Sequence, residues 1–401
     1  MHSAVPNSAV TVSGSASAVS RSAQRVVVIG AGIIGLAIAY ELRRRGHDVE
    51  VRSVGIAEGA TFAAAGMLAP AAEIQLGQNA LWPIMREAME DHRALAADIA
   101  SRTGKATGYR DDSTLVIGRD RADLAEIRET GAAQCSSGAH VTDITASRAR
   151  RLEPALAPGI SGGQLIDGDS QVDPRILAMR LVELLIDPVI EAPPARIIEG
   201  RVHDLERIDA DRIILAAALG VGEIAGPHRR LTLSLRAVRG DIIRVQVPQS
   251  MLLPGESHLI SRTIRGMVRG RHVYLVPRDG GELVIGATSR EDSLAQPQTG
   301  GVLQLLQDAA ELVPAIRETA LCEVTARDRP GTPDDLPLLG PVPGDPRVIL
   351  ATGFHRHGVL LSAWAARRTA DLVEMPRERW GHQPSSLEAV RPDRFTTKES
   401  A

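Results

Sequence analysis

Four β-branched residues, Val26-Val27-Val28-Ile29, run straight into Gly30-Ala31-Gly32-Ile33-Ile34-Gly35, and apolar residues at helical spacing follow from Leu36 until Gly46 stops the pattern after Arg45. An unbroken β-branched run fits a strand covered on both faces. Glycines are needed where the turn is tight, where backbone approaches a pyrophosphate and where helix packs on strand, and the helix N-terminus then offers free N–H groups to phosphate. A lone G-x-G-x-x-G is a weak signal. Between a strand and a helix, with a second strand from Asp48 to Val51, it reads as a dinucleotide-binding βαβ unit. The motif does not say which dinucleotide.

The usual acid at the end of the second strand, which accepts from a ribose hydroxyl, is replaced by Arg52, with Ser53 beside it. Arginine can only donate, so a weakened hold on the nucleotide is expected here. Further along, Leu177–Ile186 reads as a helix, Arg212–Ala217 and Val348–Ala351 as buried strands, and Ser113–Ile117 and Asp241–Val247 as strands. His272–Val276 and Glu282–Gly286 form a hairpin pattern around Pro277–Gly281. Such interleaving suggests two domains, each built from several chain segments. Residues 1–24 are Ser, Ala, Val, Thr and Gly in low-complexity order and are expected to be a disordered leader. After Glu374 a Pro- and Arg-rich tail is expected to end in a frayed terminus.

Composition narrows the partners. The 401 residues hold 46 Lys+Arg against 49 Asp+Glu with no block of like charge, which gives no footprint for nucleic acid or a membrane surface. No apolar run approaches a membrane span. Two cysteines, Cys135 and Cys322, make neither a disulfide framework nor a metal site, and the histidines lack ligand spacing. A reducing, cytoplasmic setting follows from that reading. Aromatics are 2% of the chain, so each is worth weighing. Trp82, Met85 and Met89 fall at helical spacing and read as core. The adjacent acids Asp111-Asp112 and Asp334-Asp335 read as caps or terminators, not as a spaced catalytic pair.

Several segments together carry a resemblance. Ala63-Ala64-Ala65-Gly66-Met67-Leu68-Ala69-Pro70, the hairpin from His272 to Arg278 with Leu283 to Thr288, Arg329-Pro330-Gly331-Thr332-Pro333-Asp334, and Gly353-Phe354-His355-Arg356-His357-Gly358-Val359-Leu360-Leu361 resemble signatures of the D-amino-acid-oxidase family of FAD-dependent oxidoreductases. The order is kept from about Arg25 to about Val373, and the likeness is nearest to members that oxidise glycine for thiamine synthesis. One stretch departs: Ala216 to Glu223 lacks the Trp and the spacing of the family's compact Ala-Gly-x-Trp-Ser strand end.

The resemblance implies an α/β fold. It would combine a Rossmann-like FAD-binding domain over residues 25–80, 145–225 and 325–375 with a discontinuous, antiparallel-sheet-rich substrate domain over 81–144 and 226–324, followed by the tail at 376–401. It implies FAD contacts at Gly30, Gly32, Ile33, Ile34, Gly35, Arg52, Ser53, Ala60, Thr61, Ala65, Gly66, Met67, Val202, Phe354, His355, Arg356, His357, Gly358, Val359 and Leu360. Tyr274 and Arg329 match the substrate carboxylate binders and Arg356 a substrate-contacting arginine.

A planar guanidinium with a phenol beside it suits a carboxylate, and positioning an α-carbon against a flavin does most of the work in amine oxidation. Taken alone, Arg329 could be a surface turn residue and Tyr274 a half-buried sheet aromatic. Likewise His355 and His357 read as shape-fillers and His272 as either an entrance residue or a sheet histidine. Cys322 does not fall on the position at which some relatives attach flavin, so it is expected to be a buried, inert thiol and FAD to be non-covalent. The implied reaction is oxidative deamination of glycine, another small amine or a D-amino acid by dioxygen. Its products are the imine, which hydrolyses to glyoxylate and ammonia in the case of glycine, and peroxide; the imine would supply the thiazole of thiamine. A dehydrogenase for D-amino or imino acids, or a non-catalytic nucleotide-binding relative, is the alternative, and a homo-oligomer is possible on any of these readings.

Overall fold

In the computed structural model, which describes residues 23–73, 80–188, 192–232, 234–252, 254–380 and 385–395, alternate residues of β1 (Arg25–Ala31) feed two different cores. Val26 and Val28 point into one, with Leu36, Val51, Leu181 and Trp364; Val27 and Ile29 point into the other, with Ile213, Leu215, Val348 and Leu350. That double burial is why the run is β-branched throughout. β1 turns at Gly30–Gly32 into α1 (Ile33–Arg44), and β2 (Asp48–Ile56) returns parallel to β1 with Ile29 opposite Arg52.

The first sheet has six strands in the order Leu338–Val342, Asp345–Thr352, Arg212–Leu215, β1, β2, Arg196–Glu199. It is parallel except for the pairing of its first two strands. α1 packs against the helices Pro174–Ile186 and Ser362–Glu374. The second sheet has eight strands in the order Ala320–Gly331, Arg236–Gln246, Glu282–Gly286, Arg271–Pro277, Thr263–Val268, Thr114–Gly118, Gly162–Ile166, Val141–Ile144. Its apolar face is filled by Ile243, Val245, Leu275, Leu283 and Ile285 with Leu305, Ala309 and Leu312 of the helix Thr299–Leu312. The strand Ala320–Gly331 leaves this sheet at Gly331, and the next strand, Leu338–Val342, already belongs to the first sheet.

One expectation, the burial of Cys322, is corrected. The helix Leu81–Thr103 buries Leu81, Ile84, Met85 and Met89 in the first core, and Gly162–Ile166 pairs in the second sheet. Periodicity reveals that such segments are amphipathic but not which sheet they cover. Within the tail, residues 385–395 dock: Leu387 and Val390 are buried, and the Leu339 N–H donates to the Val390 carbonyl at 2.9 Å; the terminus expected to fray lies outside the described residues. Cys322 is exposed, as is Cys135. The register steps from Arg244 opposite Glu323 to Val245 opposite Leu321, which makes Cys322 the extra residue of a bulge on an edge strand. The leader expected over 1–24 lies outside the described residues except for Ala23 and Gln24. His92, on the helix Leu81–Thr103, is fully buried, and burial pushes its imidazole down to about 4.

Candidate active site

A cavity of about 1790 Å³ runs along the C-terminal ends of β1 and β2 and on to the second sheet. Its first end is built by the glycine turn. Gly30 has φ +110°, and a Cβ there would stand 2.5 Å from the Ala216 carbonyl oxygen of the neighbouring strand. Gly35 tucks the helix against that turn so tightly that a Cβ would collide with the Gly30 carbonyl. Gly32, Ile33 and Ile34 thereby bring the first turn of α1, which carries neither an acidic residue nor a side-chain cap, to the cavity wall. Unpaired N–H groups at a helix start suit phosphate oxygens. Thr61 accepts from the Ile33 N–H at 3.0 Å and fixes the segment Ala60–Ala63 across this end. The wall continues through Ala65, Gly66 and Met67 and, on the far side, through Arg52, Ser53 and Val202. Arg52 lies against Glu50, Nε to Oε1 at 2.6 Å, and Ser53 donates to the Gly55 carbonyl at 2.7 Å.

The second end is made by the large sheet. Tyr274 stands opposite Gly286, and Arg329 reaches over Gly240; in both places the missing Cβ is what leaves room for the side chain to lie flat along the wall. Arg329 Nη1 approaches the Thr288 carbonyl at 3.4 Å, and no carboxylate among the described residues is recorded within ion-pair distance of it. A guanidinium held in a cavity wall without an anion is a ready receptor for a carboxylate. Burial pushes the Tyr274 phenol above its ordinary value while Arg329 pulls against that shift, so the hydroxyl keeps its proton and can donate.

Between the two ends two arginines converge on the buried carboxylate of Glu73. Glu73 pairs with Arg265, whose strand position is opposite Tyr274, and its other oxygen lies 3.2 Å from Arg356 Nη2. Burial alone would raise the Glu73 carboxyl, but Arg265 and then Arg356 overcome it and hold the group well below the usual carboxylate range. Arg356 is thus aimed by a carboxylate from the segment that follows the Ala-Ala-Gly-Met loop. His357, 3.8 Å from Glu73, is pushed down to about 4 by burial and stays neutral; burial does the same to His355, which lies 3.2 Å from Asp335.

Of the residues expected from the sequence, Tyr274, Arg329, Arg356, Gly30, Gly32, Ile33, Ile34, Arg52, Ser53, Ala60, Thr61, Ala65, Gly66, Met67, Val202, Phe354, His355, Gly358 and Val359 line one cavity. Gly35, His357 and Leu360 stand behind its wall: Gly35 under the turn, His357 towards Glu73, and Leu360 in the first core. His272 lines the cavity and is exposed, which is the entrance reading. Sequence reasoning missed Glu73, Arg265, Glu58, Gly240 and Gly286. Arg265 was recoverable, because the Arg269-Gly270 turn sets a hairpin register in which it faces Tyr274.

Known proteins are similar to this chain over most of its length. The family model described as DAO, FAD dependent oxidoreductase, matches residues 25–372. The chain is 29% identical over 363 residues to the bifunctional protein ThiO/ThiG of Nostoc sp., covering 87% of this chain and 52% of that one, so it spans about half the length of that relative. It is 29% identical over 374 residues to glycine oxidase of Geobacillus kaustophilus, covering 90% of this chain and 96% of that one. The crystal structure of glycine oxidase from Geobacillus kaustophilus superposes with a TM-score of 0.76 at 29% identity, over 88% of this chain and 94% of that chain.

Proposed function

We propose, from the premise that this chain belongs to the DAO family of FAD-dependent oxidoreductases, that it oxidises glycine and passes the electrons to dioxygen. The observation that carries the reading is the carboxylate receptor formed by Arg329 and Tyr274 in the same cavity as the phosphate-facing start of α1. The glycine turn, the uncapped helix start and the Ala65–Met67 loop suit FAD, and the exposed bulge position of Cys322, away from the cavity lining, supports a non-covalent hold.

In this reading Arg329 and Tyr274 hold the glycine carboxylate and Arg356, aimed by Glu73, borders the same space. The buried, neutral His357 packs behind the adjoining wall. FAD, when bound, supplies the hydride acceptor and returns the electrons to oxygen as peroxide. The amine leaves as the imine, which water converts to glyoxylate and ammonia. We place this activity in thiamine synthesis, with the imine entering the thiazole, because the chain resembles members serving that route and is similar to a ThiO/ThiG protein. Two free, exposed cysteines suit the cytoplasm.

The test is a peroxide assay over glycine, sarcosine, D-alanine and D-proline, after the yellow chromophore has been identified as FAD in the supernatant of acid-precipitated protein. The highest kcat/KM on glycine, with peroxide formed, is the expected result. Turnover that reduces a dye but yields no peroxide in air would replace it with the dehydrogenase reading. Protein without flavin would overturn both.

A further inference from the structure

The end of β2 raises a question of donors and acceptors. In a βαβ nucleotide site the adenosine ribose lies beside the C-terminal end of the second strand, where a carboxylate accepts from its hydroxyls. Here the residue opposite Ile29, the last of β2 before its register with β1 shifts, is Arg52, which has no lone pair to offer and is tied to Glu50. Glu50 is itself buried, lies 3.3 Å from Arg196 Nε on the neighbouring strand and does not line the cavity.

The chain beyond β2 brings up another carboxylate. Ala57 takes a left-handed turn, φ 58°, and its N–H donates to the Ala31 carbonyl at 2.9 Å, which folds the next residue back over the strand end. Glu58 then lies against Gly55, where a Cβ would stand 2.6 Å from Glu58 Oε2. Its backbone is pinned from the other sheet, because Arg327 Nε donates to the Glu58 carbonyl at 2.9 Å. The side chain is exposed on the cavity wall, and among the described residues no ion pair is recorded for it. Glu223, the other carboxylate at this end, is taken by Arg201.

We propose that Glu58, and not the side chain at position 52, accepts the hydrogen bonds of the adenosine ribose hydroxyls of FAD. The Arg52 departure is thereby made good within the same turn. Gly55 is the condition for it, since any side chain there would push the Glu58 carboxyl off the strand end.

The experiment measures affinity, not turnover. FAD Kd is read from flavin fluorescence recovered on diluting the holoprotein, for the unmodified chain and for Glu58→Gln. ADP and 2′,3′-dideoxy-ADP are then compared as competitors that displace FAD. The unmodified protein is expected to prefer ADP by about tenfold or more, and Glu58→Gln to weaken FAD by about 10- to 100-fold and to lose most of that preference, the range of one or two charge-assisted bonds. An unchanged thermal melt of the FAD-saturated variant separates this from misfolding; if the melt falls, Gly55→Ala, read by the same competition, serves as the second variant. Equal FAD affinity and an intact ADP preference in Glu58→Gln would overturn the proposal, as would an unmodified protein that binds FAD without distinguishing ADP from its dideoxy form. An unmodified protein that binds no FAD would instead defeat the family-level reading.

Discussion

The phenol oxygen of Tyr274 lies over Gly286, its register partner on the next strand, so closely that a Cβ at position 286 would overlap it. The substrate end of the cavity is therefore shaped by an absence as much as by the tyrosine. Gly286→Ala is expected to push the phenol off the wall and lower kcat/KM for glycine by about tenfold or more, with FAD retained. Tyr274→Phe, which removes one neutral hydrogen bond, should cost less, about 2- to 10-fold. Because the phenol is held above its ordinary value, it stays protonated across the alkaline limb, and the pH profile of kcat/KM for Tyr274→Phe should keep the alkaline limb of the unmodified enzyme. Steady-state kinetics from pH 7 to 10 check both.

Arg329→Met removes the cation meant for the carboxylate. Losing a charged partner in a desolvated site costs about 2–4 kcal/mol, so kcat/KM should fall roughly 30- to 1,000-fold while the flavin spectrum is unchanged. Intact glycine turnover in this variant would refute the assignment.

Glu73→Gln leaves Arg265 and Arg356 facing each other across a neutral amide. Breaking a buried ion pair by removing one partner costs about 3–5 kcal/mol. Urea unfolding is expected to show a loss of that order, and kcat/KM to fall with it because Arg356 is no longer aimed. A variant as stable and as active as the parent would show that the trio plays no part.

His92 gives a pH prediction for stability. Its imidazole is pushed down to about 4 in the folded chain against an ordinary value of 6.5, so between those values the unfolded chain binds a proton that the folded chain does not. Stability due to this group is fully present above pH 6.5 and is lost as pH falls towards 4, by about 1.4 kcal/mol per pH unit. His92→Leu should therefore lose about 2 kcal/mol less than the parent between pH 7.5 and pH 5, measured by urea denaturation at the two values.

What was legible in the sequence was local. Val26 to Gly35 declares strand, turn and helix because each step depends on its near neighbours, and the C-terminal loop around Arg356 stands as one contiguous signature. What was hidden depended on pairing across the chain. Glu73 acquires its role only when Arg265 and Arg356 converge on it from 192 and 283 residues away. Gly240 and Gly286 look like ordinary strand glycines until the sheet places Arg329 and Tyr274 above them. Cys322 was misread because a bulge cannot be seen without the partner strand. Arg52 shows in the sequence as a departure, whereas the nearby carboxylate of Glu58 lies past a left-handed turn at Ala57, a conformation that alanine does not advertise.

The strand order also sets a timetable for synthesis. β1 is made early, but the strand beside it, Arg212–Leu215, comes some 180 residues later and Asp345–Thr352, which pairs with that one, later still. The loop carrying Arg356 follows, and Leu387 and Val390 close over the core last. A nascent chain therefore exposes its glycine turn long before the strands and the Arg356 loop that wall the cavity exist, and a complete flavin site waits for that loop to emerge.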